Sequence, residues 1–157
     1  MSKSKLQLLM MHLIDAEYQG RKLAKPAQFD SWIEGGRIVP SSKRIEGNGL
    51  LAARFYYSGV ISISPCYCPV ELLVAYVSFW LQNNASNDDS DEVEFSSDSL
   101  DDNASEVEIT IEQFCEDIEL VESKTGPFKL GGVHYDFGKS SLWIAESFKL
   151  TGEIVNE

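Results

Sequence analysis

Three cysteines, two histidines and a run of acids are the residues of this 157-residue chain best suited to holding a metal or breaking a bond. Cys66, Cys68 and Cys115, joined by His12 or His134, would offer the ligand types that zinc takes. Zinc sites space paired cysteines more widely than Cys66-Tyr67-Cys68, and neither histidine has a partner nearby in sequence. The cysteines read instead as buried free thiols, and their odd number favours a reducing compartment. Nucleophilic catalysis would need a strand–Ser–helix elbow flanked by glycines, which the sequence lacks. His12 falls in an apolar helical pattern, as a core histidine does, and His134 lies among glycines and aromatics, as a structural or surface one does. Gly131-Gly132 has no phosphate-loop pattern around it. Asp98, Asp101, Asp102 and Asn103 lack the ordered ligand spacing and glycine of a calcium loop. Hydrolysis by paired carboxylates needs one acid against an apolar pocket, and the glutamates alternate too regularly for that. The reading is a non-enzyme with no catalytic residue, no metal and no cofactor.

Charge narrows the partners. Thirteen Lys and Arg face 25 Asp and Glu, for a formal net charge of -12, and residues 55–123 contain no Lys or Arg at all. Such a surface repels phosphate and anionic headgroups, which argues against a membrane and against tight nucleic-acid binding. Solubility alone would also account for it. At the N-terminus, Lys3-Ser4-Lys5 followed by apolar residues imitates a signal peptide, but Gln7 and His12 interrupt the run and Asp15-Ala16-Glu17 stands where a cleavage site would. The run is also too short to span a bilayer. It reads as a helix docked on a core.

The elements that would position these residues follow from periodicity. Leu6, Leu9, Met10 and Leu13 recur at helical spacing over residues 5–18. A Lys-rich connector runs to Pro26. Gly35-Gly36 marks a stop or tight turn after residues 29–34, and Arg37-Ile38-Val39 a short strand before Pro40. Residues 55–64 read as a strand, with Gly59 placing a bulge or bend. Pro69 opens a helix over residues 69–83, apolar around most of its girth. Residues 92–96 and 105–112 alternate as a hairpin: Val93, Phe95, Val107, Ile109 and Ile111 share one face, and Glu92, Glu94, Glu106, Glu108 and Glu112 the other. The second strand continues toward Val121 through Phe114, Ile118 and Leu120, switching face near Gln113 as at a bulge. A turn at Lys124-Thr125-Gly126-Pro127, a Gly-rich segment and the apolar run Leu142-Trp143-Ile144-Ala145 complete the chain. The fold class is α+β: a single domain with a mainly antiparallel β-sheet flanked by helices. Residues 1–25 form its N-terminal helix and connector, 26–150 its core, and 151–157 a frayed tail.

In that order, several segments resemble one known family. They are Phe29-Asp30-Ser31-Trp32-Ile33-Glu34-Gly35-Gly36-Arg37-Ile38, the aromatic strand Arg54-Phe55-Tyr56-Tyr57, and the helix end Phe79-Trp80-Leu81-Gln82-Asn83-Asn84. The acidic hairpin follows, Val93-Glu94-Phe95-Ser96-Ser97-Asp98 and Glu106-Val107-Glu108-Ile109-Thr110-Ile111. Residues 29–122 are thereby similar to the tail completion protein R (GpR) family of temperate phages with contractile tails, a tail terminator-like group. The resemblance implies a structural virion protein that completes the tail at its head-proximal end and prepares it for head–tail joining. It implies a ring-like homo-oligomer, a hexamer by analogy with tail terminators. Its partners would be the tail tube protein and a head-side connector or companion completion protein. It would be made in the bacterial host cytoplasm and reside in the virion tail.

Two surfaces are expected to carry that role. Val70, Leu73, Val77, Trp80 and Leu81 would face the sheet, while Leu72, Tyr76 and Phe79 approach a neighbouring subunit or belong to the same core. Glu92, Glu94, Glu106, Glu108 and Glu112 would line a channel through which DNA passes without sticking, or form a solvated outer face. Another head–tail connector, a tail accessory protein, or an acidic adaptor that mimics DNA would share these features.

Overall fold

Apolar and acidic residues alternate over Val107–Ile111 because one face of that strand is wholly buried and the other is not. Val107, Ile109 and Ile111 are each at most 2% exposed. The surrounding architecture was obtained as a computed structural model that describes residues 3–138. Its elements in chain order are α1 (Lys5–Asp15), the two-residue strands β1 (Glu17–Tyr18) and β2 (Arg21–Lys22), a 3₁₀ turn (Pro26–Gln28), β3 (Phe29–Ile45), β4 (Gly49–Cys66), α2 (Val70–Asn84), β5 (Val93–Ser99), β6 (Ser105–Glu122), β7 (Phe128–Leu130) and β8 (Val133–Asp136). The main sheet runs β3-β4-β6-β8-β7, with β5 on the same side of β6 as β8. All its pairings are antiparallel. The class is α+β, a mainly antiparallel sheet with two helices.

Both helices pack on one face. Ser4 caps α1: its Oγ accepts from Gln7 N–H at 3.2 Å while Gln7 Oε1 accepts from Ser4 N–H at 2.9 Å. Leu6, Leu9, Met10 and Leu13 bury against the sheet, as their spacing predicts. The helix stops at Asp15, earlier than expected, because Gln19 and Gly20 at positive φ (51° and 78°) turn the chain into the β1–β2 hairpin. α2 follows Pro69 and buries Leu73, Val77 and Trp80. Leu81 is half-buried on the same core, whereas Val70 and Val74 are exposed. Leu73 and Val77 fill the sheet-facing arc, and Val74 is turned to a groove beside β5.

The glycine pair does not end a strand. β3 runs unbroken from Phe29 to Ile45, with a register shift between Ile33 and Gly35 absorbing one extra residue. Gly36 is needed there because a Cβ would run into the Tyr56 carbonyl oxygen of β4. A second shift sits between Tyr57 and Gly59 opposite Phe114 and Ile111, so the face of β6 changes where Gln113 suggests. At Gly59 a Cβ would stand 2.8 Å from the Leu6 side chain, so α1 lies directly on the strand.

Two cores result. The larger joins α1, α2 and the first half of the sheet; the smaller, Leu50, Leu120 and Tyr135, lies at the far end of the long strands. Gly131 and Gly132, both at positive φ, form the turn of the β7–β8 hairpin, the fold of the Gly-rich segment. The expected apolar run at residues 142–145 and the tail at 151–157 lie outside the described residues.

Candidate assembly surfaces

The outer face of the sheet is built by the strand alternation itself. Glu94 stands opposite Thr110, Ser96 opposite Glu108, and Asp98 opposite Glu106. Since Val107, Ile109 and Ile111 point to the helices, Glu94, Glu106, Glu108 and Glu112 point away from them. Glu92 lies one residue before β5. Glu94 and Glu112 approach each other, and sharing a proton with Glu94 raises the Glu112 carboxyl above its ordinary range. Asp98 and Asp30 extend the acidic face, the latter from β3 opposite Ser62. Neither belongs to the glutamate pattern; only the register assigns them to this face.

Farther along the same face the charge is balanced. Arg54 donates to Asp88 at 2.7 Å and to Asp117 at 3.0 Å. These bonds, Asp88 first, raise its pKa. Arg37 stacks over Tyr56 at 3.9 Å from the ring centre. Sequence spacing gave no signal for this lattice, since its members come from β3, β4, β6 and the loop after α2.

On the helix side, Leu72, Tyr76 and Phe79 meet around one hollow of about 720 Å³, together with His12, Tyr18 and Asn83. Leu72 and Tyr76 are half-buried against the core, and Tyr76 Oη donates to the Glu17 carbonyl at 2.6 Å. Phe79 is 65% exposed. His12 is an exposed residue on the rim, its ring edge-on to Tyr76 with centroids 6.1 Å apart, and not the core histidine its setting suggests. A smaller groove of about 360 Å³ opens between α2 and β5.

Other chemistry-bearing groups make contacts within the fold. Glu116 Oε2 accepts from Lys5 N–H at 2.8 Å, at the N-terminus of α1, and from Tyr57 Oη at 2.6 Å. Burial, then the Glu116 carboxylate, pushes the Tyr57 pKa up. Asp101 Oδ1 closes the β5–β6 turn by accepting from Asn103 and Ala104 N–H. His134 Nδ1 lies 3.0 Å from the Gly126 carbonyl oxygen. Cys66 and Cys68 are free thiols with sulfurs 3.6 Å apart, a contact that lowers Cys66 to about 7. No helix among the described residues is long and apolar enough to cross a membrane.

Residues 3–137 match the P2 phage tail completion protein R (GpR) family over nearly the whole described chain. The chain belongs to that family. A relative in Haemophilus phage HP1 (strain HP1c1), described as an uncharacterized 19.2 kDa protein in the rep-hol intergenic region, is 29% identical over 140 residues, covering 82% of this chain and 81% of its own. No solved structure matches the chain. As a GpR-family member it is a structural phage protein of tail completion, which places it in the virion tail in contact with other tail components.

Proposed function

We propose that this GpR-family chain closes the head-proximal end of the finished tail as a ring of identical copies and readies it for joining the head. Hexameric order follows by analogy with tail terminators, as do contacts with the tube protein on one side and a head connector or companion completion protein on the other. The observation that carries the reading is the two-sidedness of the sheet. α1 and α2 cover one face, while Glu94, Glu106, Glu108 and Glu112 occupy the other. Turned inward, that face would present carboxylates to passing DNA, and like charge would keep the phosphates from sticking. Turned outward, the hollow at Leu72, Tyr76 and Phe79 would receive a neighbour's apolar side chain.

The test is the solution mass by light scattering with and without millimolar magnesium, followed by imaging of tube ends. Magnesium screens the acidic face and lowers the repulsion between copies crowded around a channel. A discrete closed oligomer that caps tube ends is the expected result. A monomer that never assembles on tube ends, yet binds a basic partner tightly, would replace the ring with an acidic adaptor. A ring whose glutamates point outward would end the channel assignment alone.

A further inference from the structure

We infer that neighbouring copies join by sheet extension, the free edge of β3 in one copy pairing antiparallel with the free edge of β5 in the next. This rests on the ring reading and adds the joint that would make the ring. Among the described residues the strand order in the helix-covered half is β3-β4-β6-β5, so β3 and β5 are its two outer strands there. Every neighbour is antiparallel, so strand directions alternate and β3 and β5 run opposite ways. A second copy added in the same orientation therefore meets the first in an antiparallel joint, with its helix face still on the helix side. A head-to-tail repeat of this kind needs two different, complementary edges.

The two edges complement each other on both faces. On the face away from the helices β3 offers Arg37 and Val39, level with Tyr56 and Arg54 of β4, and β5 offers Glu94 and Asp98. On the helix side β3 offers Ile38, 69% exposed, and β5 offers Phe95, 38% exposed. Residues 34–45 contain Arg37, Lys43 and Arg44 against the single acid Glu34, whereas residues 91–99 contain Asp91, Glu92, Glu94 and Asp98 and no base. Soluble proteins guard free edges with lysine, proline or bulges. β5 carries none of these, and its pairing with β6 has no register shift. β3 is guarded at both ends of one stretch but regular between its two shifts, from Gly35 to Pro40, which is where Arg37 and Ile38 lie.

Charge also selects the register. Joined without offset, Ser96 would face Asp30 of the next copy and set that acid between Glu94 and Asp98. An offset of four ladder positions, roughly 13 Å along the strand, brings Arg37 beside Glu94 instead and keeps both on the same face. A sheet that closes on itself requires a stagger of this kind.

The test places a photo-cross-linking phenylalanine at Ile38 of the full chain and maps its products after assembly, alongside the light-scattering mass. The expected products join Ile38 to residues 93–99 of a different copy. A closed oligomer with cross-links only elsewhere overturns this joint and leaves the ring standing. Monomers on tails with no cross-link between copies overturn both. As a second measurement, Arg37→Glu raises the concentration needed for half-assembly about tenfold, since the loss repeats at every joint, and Glu94→Arg in the same chain restores it. A double variant no better than the single one overturns the ionic match between the edges.

Discussion

Asp89 ties three parts of the chain together with one carboxylate. Its side chain is fully covered, pairs with Lys5 Nζ at 2.7 Å, and accepts from Ser86 and Cys115 N–H at 2.8 Å each. With Ser90, which exchanges hydrogen bonds with Gln113, it occupies the β6 edge at Gln113 and Cys115, just past the end of β5. The Asp89→Ala variant is expected to lose about 2–4 kcal/mol, measured by urea unfolding, because it strands Lys5 and a strand N–H together. Residues 87–91 read in sequence only as a polar acidic loop, since nothing in Asn87-Asp88-Asp89-Ser90-Asp91 distinguishes the acid that turns inward. The Glu94–Glu112 pair acts in the other direction. Its raised carboxyl means that the folded chain holds a proton there more tightly than the unfolded chain does. The stability it contributes is full below the ordinary glutamate value of 4.5 and is lost as pH rises through the raised value. Glu112→Gln should therefore raise the thermal midpoint at pH 7, and the gain should vanish in acid, as a pH series of melting curves would record.

At the scale of elements, α2 separates folding from assembly along a single helix. Leu73 is completely buried, and Leu73→Ala should cost about 2–5 kcal/mol of unfolding free energy. Phe79, six residues on, is largely exposed, so Phe79→Asp should leave the unfolding curve unchanged and reduce tail completion in an infectivity assay. Both helices and the β5–β6 hairpin were legible in sequence because their burial follows the regular periods of 3.6 and 2. The full length of β3 was not. Gly35-Gly36 and Pro40 are local stop signals, overridden here because β4 supplies a continuous partner and a bulge absorbs the misfit. β7 and β8 escaped notice for a different reason: three- and four-residue strands are too short to show alternation. Of the surfaces, the glutamate face could be read from spacing, whereas the Arg37–Tyr56 stack and the Arg54 lattice depend on register between distant strands.

For the whole molecule, the segregation of charge along the chain becomes a division of the sheet's outer face. The half under the helices is acidic, and the far half interleaves Arg37 and Arg54 with Tyr56, Asp88 and Asp117. Burial is divided in the same way. Among the described residues, eighteen buried ones form the core beneath the helices, while the far half is anchored by Leu50, Leu120 and Tyr135 with the half-buried Ala52, Val133 and Phe137 packed on them. Strands β4 and β6, each 18 residues long, run through both. One continuous ladder thus spans a firmly anchored half and a lightly anchored one, and local opening should be graded along a single strand. In hydrogen–deuterium exchange, amides at residues 50–53 and 118–121 should exchange well before those at 61–63 and 107–111. Equal protection along both strands would contradict that gradient. The far half would then serve as a compliant tongue, able to adjust to an uneven seat while the helix-backed half keeps its shape.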